Sequence, residues 1–228
     1  ARMNEPDTQA AILLGIDDPH IHDLAVDVGK PCMLINCRDR RMRLPAVAPD
    51  HRAIGERAAE YLFEMGHREV MNVLCLRRYT MELRLSGIRD AWQSHNLAFN
   101  DKRDLLVVPS FSARETEQLV SDWLNQQQGK DLPTAFLVGG DFMAAGTISA
   151  LQNHGLRVPQ DLSIIGFDNI SLSEFCDPPL STVAQPRYQI GREAMLLLLD
   201  QLHGQTVSSG SRLLDCELIV RGTTQALT

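Results

Sequence analysis

LSIIGFDNISLSEFCDPPLSTVAQPRYQIGREAMLLLLDQL, residues 162–202, carries the reading that decides the fold. LSIIGFD (162–168) is a short, nearly continuous apolar run, the pattern of a strand buried on both faces. LSTVAQP (180–186) is a second extended run, and RYQIGREAMLLLLDQLHG (187–204) is a strongly apolar helix. Working outward, the same alternation fills the chain. AILLGI (11–16), PCMLINC (31–37), HREVMNVLCL (67–76), DLLVVPS (104–110) and TAFLVGG (134–140) read as strands. Between them lie a short helix after Ile16 and helices HRAIGERAAEYLFEMG (51–66), LRLSGIRDAWQSHN (83–96) and ETEQLVSDWLNQQQ (115–128). The helix Asp141 to Gly155 has an Asp start and a Gly stop. RDRRMRLP (38–45) is a polar loop closed by Pro45, and SRLLDCELIVRGTT (211–224) alternates as one strand. Strands alternating with helices predict an α/β fold with a doubly wound parallel sheet and right-handed crossovers.

The 228 residues are 44% hydrophobic, enough for one large domain or two small ones with a real core, and too apolar for disorder. The longest apolar runs, such as Met195 to Leu199, fall far short of the ~20 residues that a membrane helix needs. No basic stretch leading into an apolar one opens the chain, so no signal peptide is read. Five cysteines (Cys32, Cys37, Cys75, Cys176, Cys216) form an odd set without CxxC, which fits a reducing cytoplasm better than a disulfide scaffold. A net charge of −7 argues against this chain gripping nucleic acid, because duplex-binding surfaces are basic.

No GxGxxG, GxxxxGK[ST], GxSxG or HExxH occurs, and no nucleophile, base and orienter assemble in the pattern, so an enzyme is not expected. Gly139-Gly140 before a helix is a weak phosphate signal. His20-x-His22 has the spacing of a metal pair, although a solvated turn explains it better, and no metal or cofactor is expected. Asp17 and Asp18 form an acidic pair that is better explained as helix capping before Pro19. The positive signals lie at strand C-termini, where open α/β sheets bind ligands. Asn36, Arg78 with Arg77 and Thr80, Phe111, Asp141 and Asp168 follow successive strands. Together they offer donors, acceptors and one aromatic face to a small polar ligand. Each has a bland counterpart: Asp141 as the N-cap of its helix, Arg77 and Arg78 as solvated, Phe111 as core. Asp168 is the hardest to explain blandly, because a carboxylate ending an apolar strand needs a partner.

VPQDLSIIGFDN, DPPLSTVAQP and RGTTQ, with AAEYLFEMGHREV (58–70) and RLSGIRDAW (84–92), resemble the effector-binding core of the LacI/GalR family of transcriptional regulators, most closely its cytidine (nucleoside) repressors. The resemblance implies a type I periplasmic-binding-protein-like fold: two doubly wound parallel-sheet subdomains joined by crossovers, with a ligand cleft between them. It implies an N-subdomain of 1–66 plus 184–207 and a C-subdomain of 67–183 plus 208–228. Family members place two strands and two helices before the strand matching AILLGI, so the N-subdomain is expected to be partial and the DNA-binding headpiece absent. By position, the resemblance makes Arg84 a ligand-clamping arginine, Asp168 a ligand-binding carboxylate and Phe111 a stacking face. It makes Arg78 and Thr80 polar contacts, sets Asn36 where sugar-responsive members carry Asp, and puts Gln185 at a crossover beside the cleft. The implied function is effector sensing and homodimerisation for a cytoplasmic repressor. Its effector is a nucleoside, nucleobase or sugar, and it meets operator DNA only through the headpiece, with no membrane partner. A periplasmic-type transport receptor is the alternative reading.

Overall fold

The computed structural model describes residues 2–127 and 129–227. In chain order the elements are β1 (Ala11–Leu14), α1 (Pro19–Val28), β2 (Cys32–Ile35), β3 (Ala46–Pro49), α2 (His51–Glu64) and β4 (Val70–Leu74). They continue with α3 (Tyr79–Ser94), α4 (Asp101–Asp104), β5 (Leu105–Val107), α5 (Ala113–Gln126), β6 (Ala135–Val138) and α6 (Asp141–Asn153). The remainder are β7 (Ser163–Asp168), α7 (Leu172–Phe175), β8 (Ser181–Ala184), α8 (Arg187–Leu202), β9 (Ser211–Leu214) and β10 (Glu217–Ile219). Among the described residues no helix is long and apolar enough to cross a membrane.

The chain divides into two compact units. The first holds the residues through His51, Arg78–Thr80 and Pro186–Cys216; the second holds Arg52–Arg77, Met81–Gln185 and the stretch from Glu217 onward. Unit one is a four-stranded parallel sheet in the order β1-β2-β3-β9. Its core lies on both faces. Leu13, Leu34 and Ala25 pack on one side, and Met33 and Val47 meet Ile190, Ala194 and Leu198 of α8 on the other. Unit two is a six-stranded sheet in the order β10-β8-β7-β6-β4-β5, parallel except for the β10–β8 pair. Strands β4, β6 and the first five residues of β7 are wholly buried, as their unbroken apolar runs require.

The extents of several elements differ from the expected ones. SRLLDCELIVRGTT is not one strand: the break at Asp215-Cys216 sends β9 alongside β3 and β10 alongside β8, in different sheets. AVAP, which the loop reading passed over, is β3, because four buried residues suffice for a strand between two partners. By compactness the chain passes between the units at His51/Arg52, Arg77/Arg78, Thr80/Met81, Gln185/Pro186 and Cys216/Glu217, while the expected subdomain boundaries are 66/67, 183/184 and 207/208. Helix α2 joins unit two because it lies against α3 with no room between the backbones. A Cβ on Gly87 would stand 1.8 Å from the Arg52 carbonyl, and one on Gly55 2.3 Å from the Arg84 carbonyl. Helix α3 starts at Tyr79 rather than at 83, and α5 ends at Gln126; Gln128, at the end of the expected span, lies outside the described residues.

Candidate functional site

In unit one, the loops after β1 and β2 converge on a single carboxylate. Asp17, with a side chain 3% exposed, accepts from the Arg38 amide at 3.0 Å through Oδ1. Its Oδ2 accepts from Arg78 Nε at 3.2 Å, Thr80 Oγ1 at 3.0 Å and the Thr80 amide at 3.4 Å. Arg78 Nη2 also donates to the Asn36 carbonyl. Asn36 takes a left-handed φ of 51°, and its Oδ1 accepts from His51 Nε2 at 3.0 Å. Three residues singled out in the sequence, Asn36, Arg78 and Thr80, are thus brought together. The hydroxyl of fully buried Thr80 is committed to Asp17.

The acidic pair divides its labour. Asp18 is the N-cap of α1, accepting from the His20 amide at 2.9 Å, whereas Asp17 organises the cluster. The signal that singled out Asp168, a carboxylate after an apolar strand, applied equally to Asp17. His22 is buried, its Nε2 donating to the Ile16 carbonyl at 2.7 Å and its Nδ1 lying 3.7 Å from Asp39. Burial pushes Asp39 up, but its bonds from Arg43 outweigh that and hold it down at about 2. Among the described residues no group of three His, Cys, Asp or Glu could hold a metal ion.

In unit two the candidate residues stand at the C-terminal ends of neighbouring parallel strands. Arg84, in the second turn of α3, is 1% exposed. Its Nη1 donates to the Gly139 carbonyl at 2.8 Å, and its guanidinium lies 4.0 Å from the centre of the Phe167 ring, a cation–π distance. Phe167 is therefore the face that seats Arg84, and the next residue, Asp168, ends the strand at φ 102°. Gln185 Nε2 donates to Asp168 Oδ1, so these two candidates are paired. Phe111 follows β5 with its ring partly exposed.

Asp141 is not the N-cap of α6: Gly140 occupies that position, without a side-chain capping bond. The Asp141 carboxylate is buried, with Oδ1 accepting from Thr182 Oγ1 at 2.6 Å and Oδ2 from the Ile170 amide at 2.8 Å. Burial pushes it up to about 6, against the pull of the Thr182 and Ile170 bonds; the nearby Asp168 charge adds to the rise and Arg221 opposes it. Arg221 escaped the sequence reading. Its Nη2 donates to Asn169 Oδ1 at 2.9 Å and its Nη1 to the Leu180 carbonyl at 2.8 Å. RGTT was legible as a motif, but its arginine finds its partner 52 residues upstream, a distance no local pattern encodes. Guanidinium, carboxylate, carboxamide and an aromatic ring at one set of strand ends form a donor and acceptor set suited to binding a polar molecule.

Residues 59–224 match the family model for a periplasmic binding protein-like domain. The HTH-type transcriptional repressor CytR of Escherichia coli (strain K12) is 44% identical over 210 residues, covering 86% of this chain and 57% of that protein. The HTH-type transcriptional repressor PurR of Vibrio campbellii (strain ATCC BAA-1116) is 33% identical over 174 residues, 75% of this chain and 50% of its own length. The crystal structure of a regulatory protein of LacI family from Chloroflexus aggregans superposes with a TM-score of 0.85 at 26% identity, covering 98% of this chain and 79% of that one. The chain thus spans about half the length of the curated relatives it matches.

Proposed function

The chain belongs to the LacI/GalR family of transcriptional regulators, and from that membership we propose that it is the effector-binding and dimerisation region of a bacterial repressor that senses a small nucleoside, nucleobase or sugar. The observation that carries this reading is the row of strand ends in unit two. Arg84 is seated on Phe167, and Asp168 follows it directly and is paired with Gln185. A guanidinium and a carboxylate are the groups that bind the hydroxyls of a sugar or the donor and acceptor edges of a base. Phe111 supplies the flat apolar surface on which a ring stacks. The mechanism is linkage: an effector that prefers one conformation shifts the population toward it, and a helix-turn-helix region reads the shift as a change in operator affinity. The working location is the cytoplasm and the working assembly a homodimer.

A thermal-shift series with cytidine, adenosine, hypoxanthine, ribose and galactose tests the reading. One chemical class should raise the Tm in a concentration-dependent way, and Asp168→Asn should require about tenfold more ligand for the same rise. A wild-type chain unmoved by all five at millimolar concentration would overturn the effector assignment.

A further inference from the structure

The turn after β7 holds two consecutive non-glycine residues in the left-handed region, Asp168 at φ 102° and Asn169 at φ 49°. Such a backbone persists only where its surroundings over-determine it. Two clamps do so here, the first built on a buried carboxylate and the second on a partly buried guanidinium. On one side Asp141 accepts from the Ile170 amide at 2.8 Å and from Thr182 Oγ1 at 2.6 Å, and Thr182 Oγ1 in turn accepts from the Asn169 amide at 3.3 Å. The carboxylate presses on β7 itself, since a Cβ on Gly166 would stand 2.6 Å from Asp141 Oδ1. On the other side Arg221 donates to Asn169 Oδ1 at 2.9 Å and to the Leu180 carbonyl at 2.8 Å, while Ser173 Oγ donates to the same Asn169 oxygen at 3.1 Å.

We propose that Asp141, Thr182 and Arg221 are positioning residues, a pair of clamps that hold Asp168 and Asn169 left-handed and so aim the Asp168 carboxylate at the effector. The inference rests on the reading of Asp168 as an effector contact. It moves Asp141 from touching the ligand to acting through its neighbour. The charged and titratable groups facing Asp141 are Asp168, Arg221 and Cys176. Ionised Asp141 is a charge-assisted acceptor for the Ile170 amide and the Thr182 hydroxyl, so the clamp is firmest above the range near 6 to which burial pushes that carboxyl.

The test combines amide hydrogen exchange with calorimetry on the intact chain, using cytidine, hypoxanthine and ribose as probes and Arg221→Gln and Thr182→Val as variants. In both variants the Asn169 and Ile170 amides should exchange at least about tenfold faster while those of β6 (Ala135–Val138) are unchanged. Affinity for whichever probe binds the wild type should fall about tenfold. Between pH 5 and 7.5 the wild-type affinity should rise with pH, and Asp141→Asn should flatten that profile, a response that a merely structural role would not produce. If Thr182→Val also loosens β6, Arg221→Gln decides on the same criteria. Unchanged exchange at 169–170 overturns the clamp, and faster exchange with unchanged probe affinity overturns the positioning role. A wild type that binds none of the probes overturns the Asp168 reading and the positioning role with it, whereas the exchange rates report on the clamp without any ligand.

Discussion

Arg84 shows what a single buried cation asks of its surroundings. A guanidinium 1% exposed must be bonded and packed, and the Gly139 carbonyl and the Phe167 ring meet part of that demand. Arg84→Ala is therefore expected both to weaken effector binding, by about tenfold or more, and to lower stability by roughly 2–4 kcal/mol, since it removes a large packed side chain. Asp168→Ala, at the partly exposed strand end, should cost comparable affinity and little Tm; calorimetry and thermal melts on the two variants separate the effects. His67 makes a pH-dependent prediction. It is buried, Nε2 donating to the Gln225 carbonyl at 3.2 Å and Nδ1 accepting from Thr134 Oγ1 at 2.9 Å. Burial, aided by Arg68, holds its pKa below the ordinary 6.5. As the pH falls the unfolded chain takes up this proton before the folded one, so the contribution is present above about 6.5 and is lost as the pH drops through the folded value. Melts between pH 7.5 and 5.5 should show a smaller acid-induced loss of Tm in His67→Gln than in the wild type.

At the scale of elements, two contacts set the outcome. Helices α2 and α3 meet backbone to backbone at Gly55 and Gly87, so Gly87→Ala should force them apart and cost about 1–3 kcal/mol in chemical denaturation, far more than the same change at an exposed helix glycine. Helix α8 reads as apolar almost all round, which implies burial on several sides. The structure buries only its Ile190, Ala194 and Leu198 stripe, at spacings of four, against Met33 and Val47. Met195, Leu196, Leu199 and Leu202 remain about two-fifths exposed. Helical periodicity made the element legible, but which part of its circumference is covered depends on what packs there, and the α8 sequence alone does not contain that.

For the whole molecule, the family membership predicts a homodimer. Phe142 on α6 and Phe175 on α7, 57% and 82% exposed, are large apolar side chains open to solvent in the single chain, the kind that a subunit contact covers. Light scattering at micromolar concentration should report a dimer, and Phe175→Ser with Phe142→Ser should shift it toward monomer. With a net charge of −7, these 228 residues alone should give no sequence-specific, salt-sensitive gel shift with duplex DNA. The α/β alternation, the strands of continuous apolar residues and the carboxylate that ends the IIGFD strand were determined by the sequence alone. All are written in local periodicity, 2 or 3.6 residues at a time, and in the cost of ending an apolar run on a carboxylate. Only the tertiary structure decided that SRLLDCELI divides between two sheets and that Asp17 rather than Asp18 gathers Arg78 and Thr80. The same holds for Asp141 bonding the turn beyond β7 instead of capping its own helix, and for Arg221 reaching Asn169. Each of those outcomes pairs groups from segments remote in sequence, and a buried polar group takes whichever partner the packed chain brings within about 3 Å.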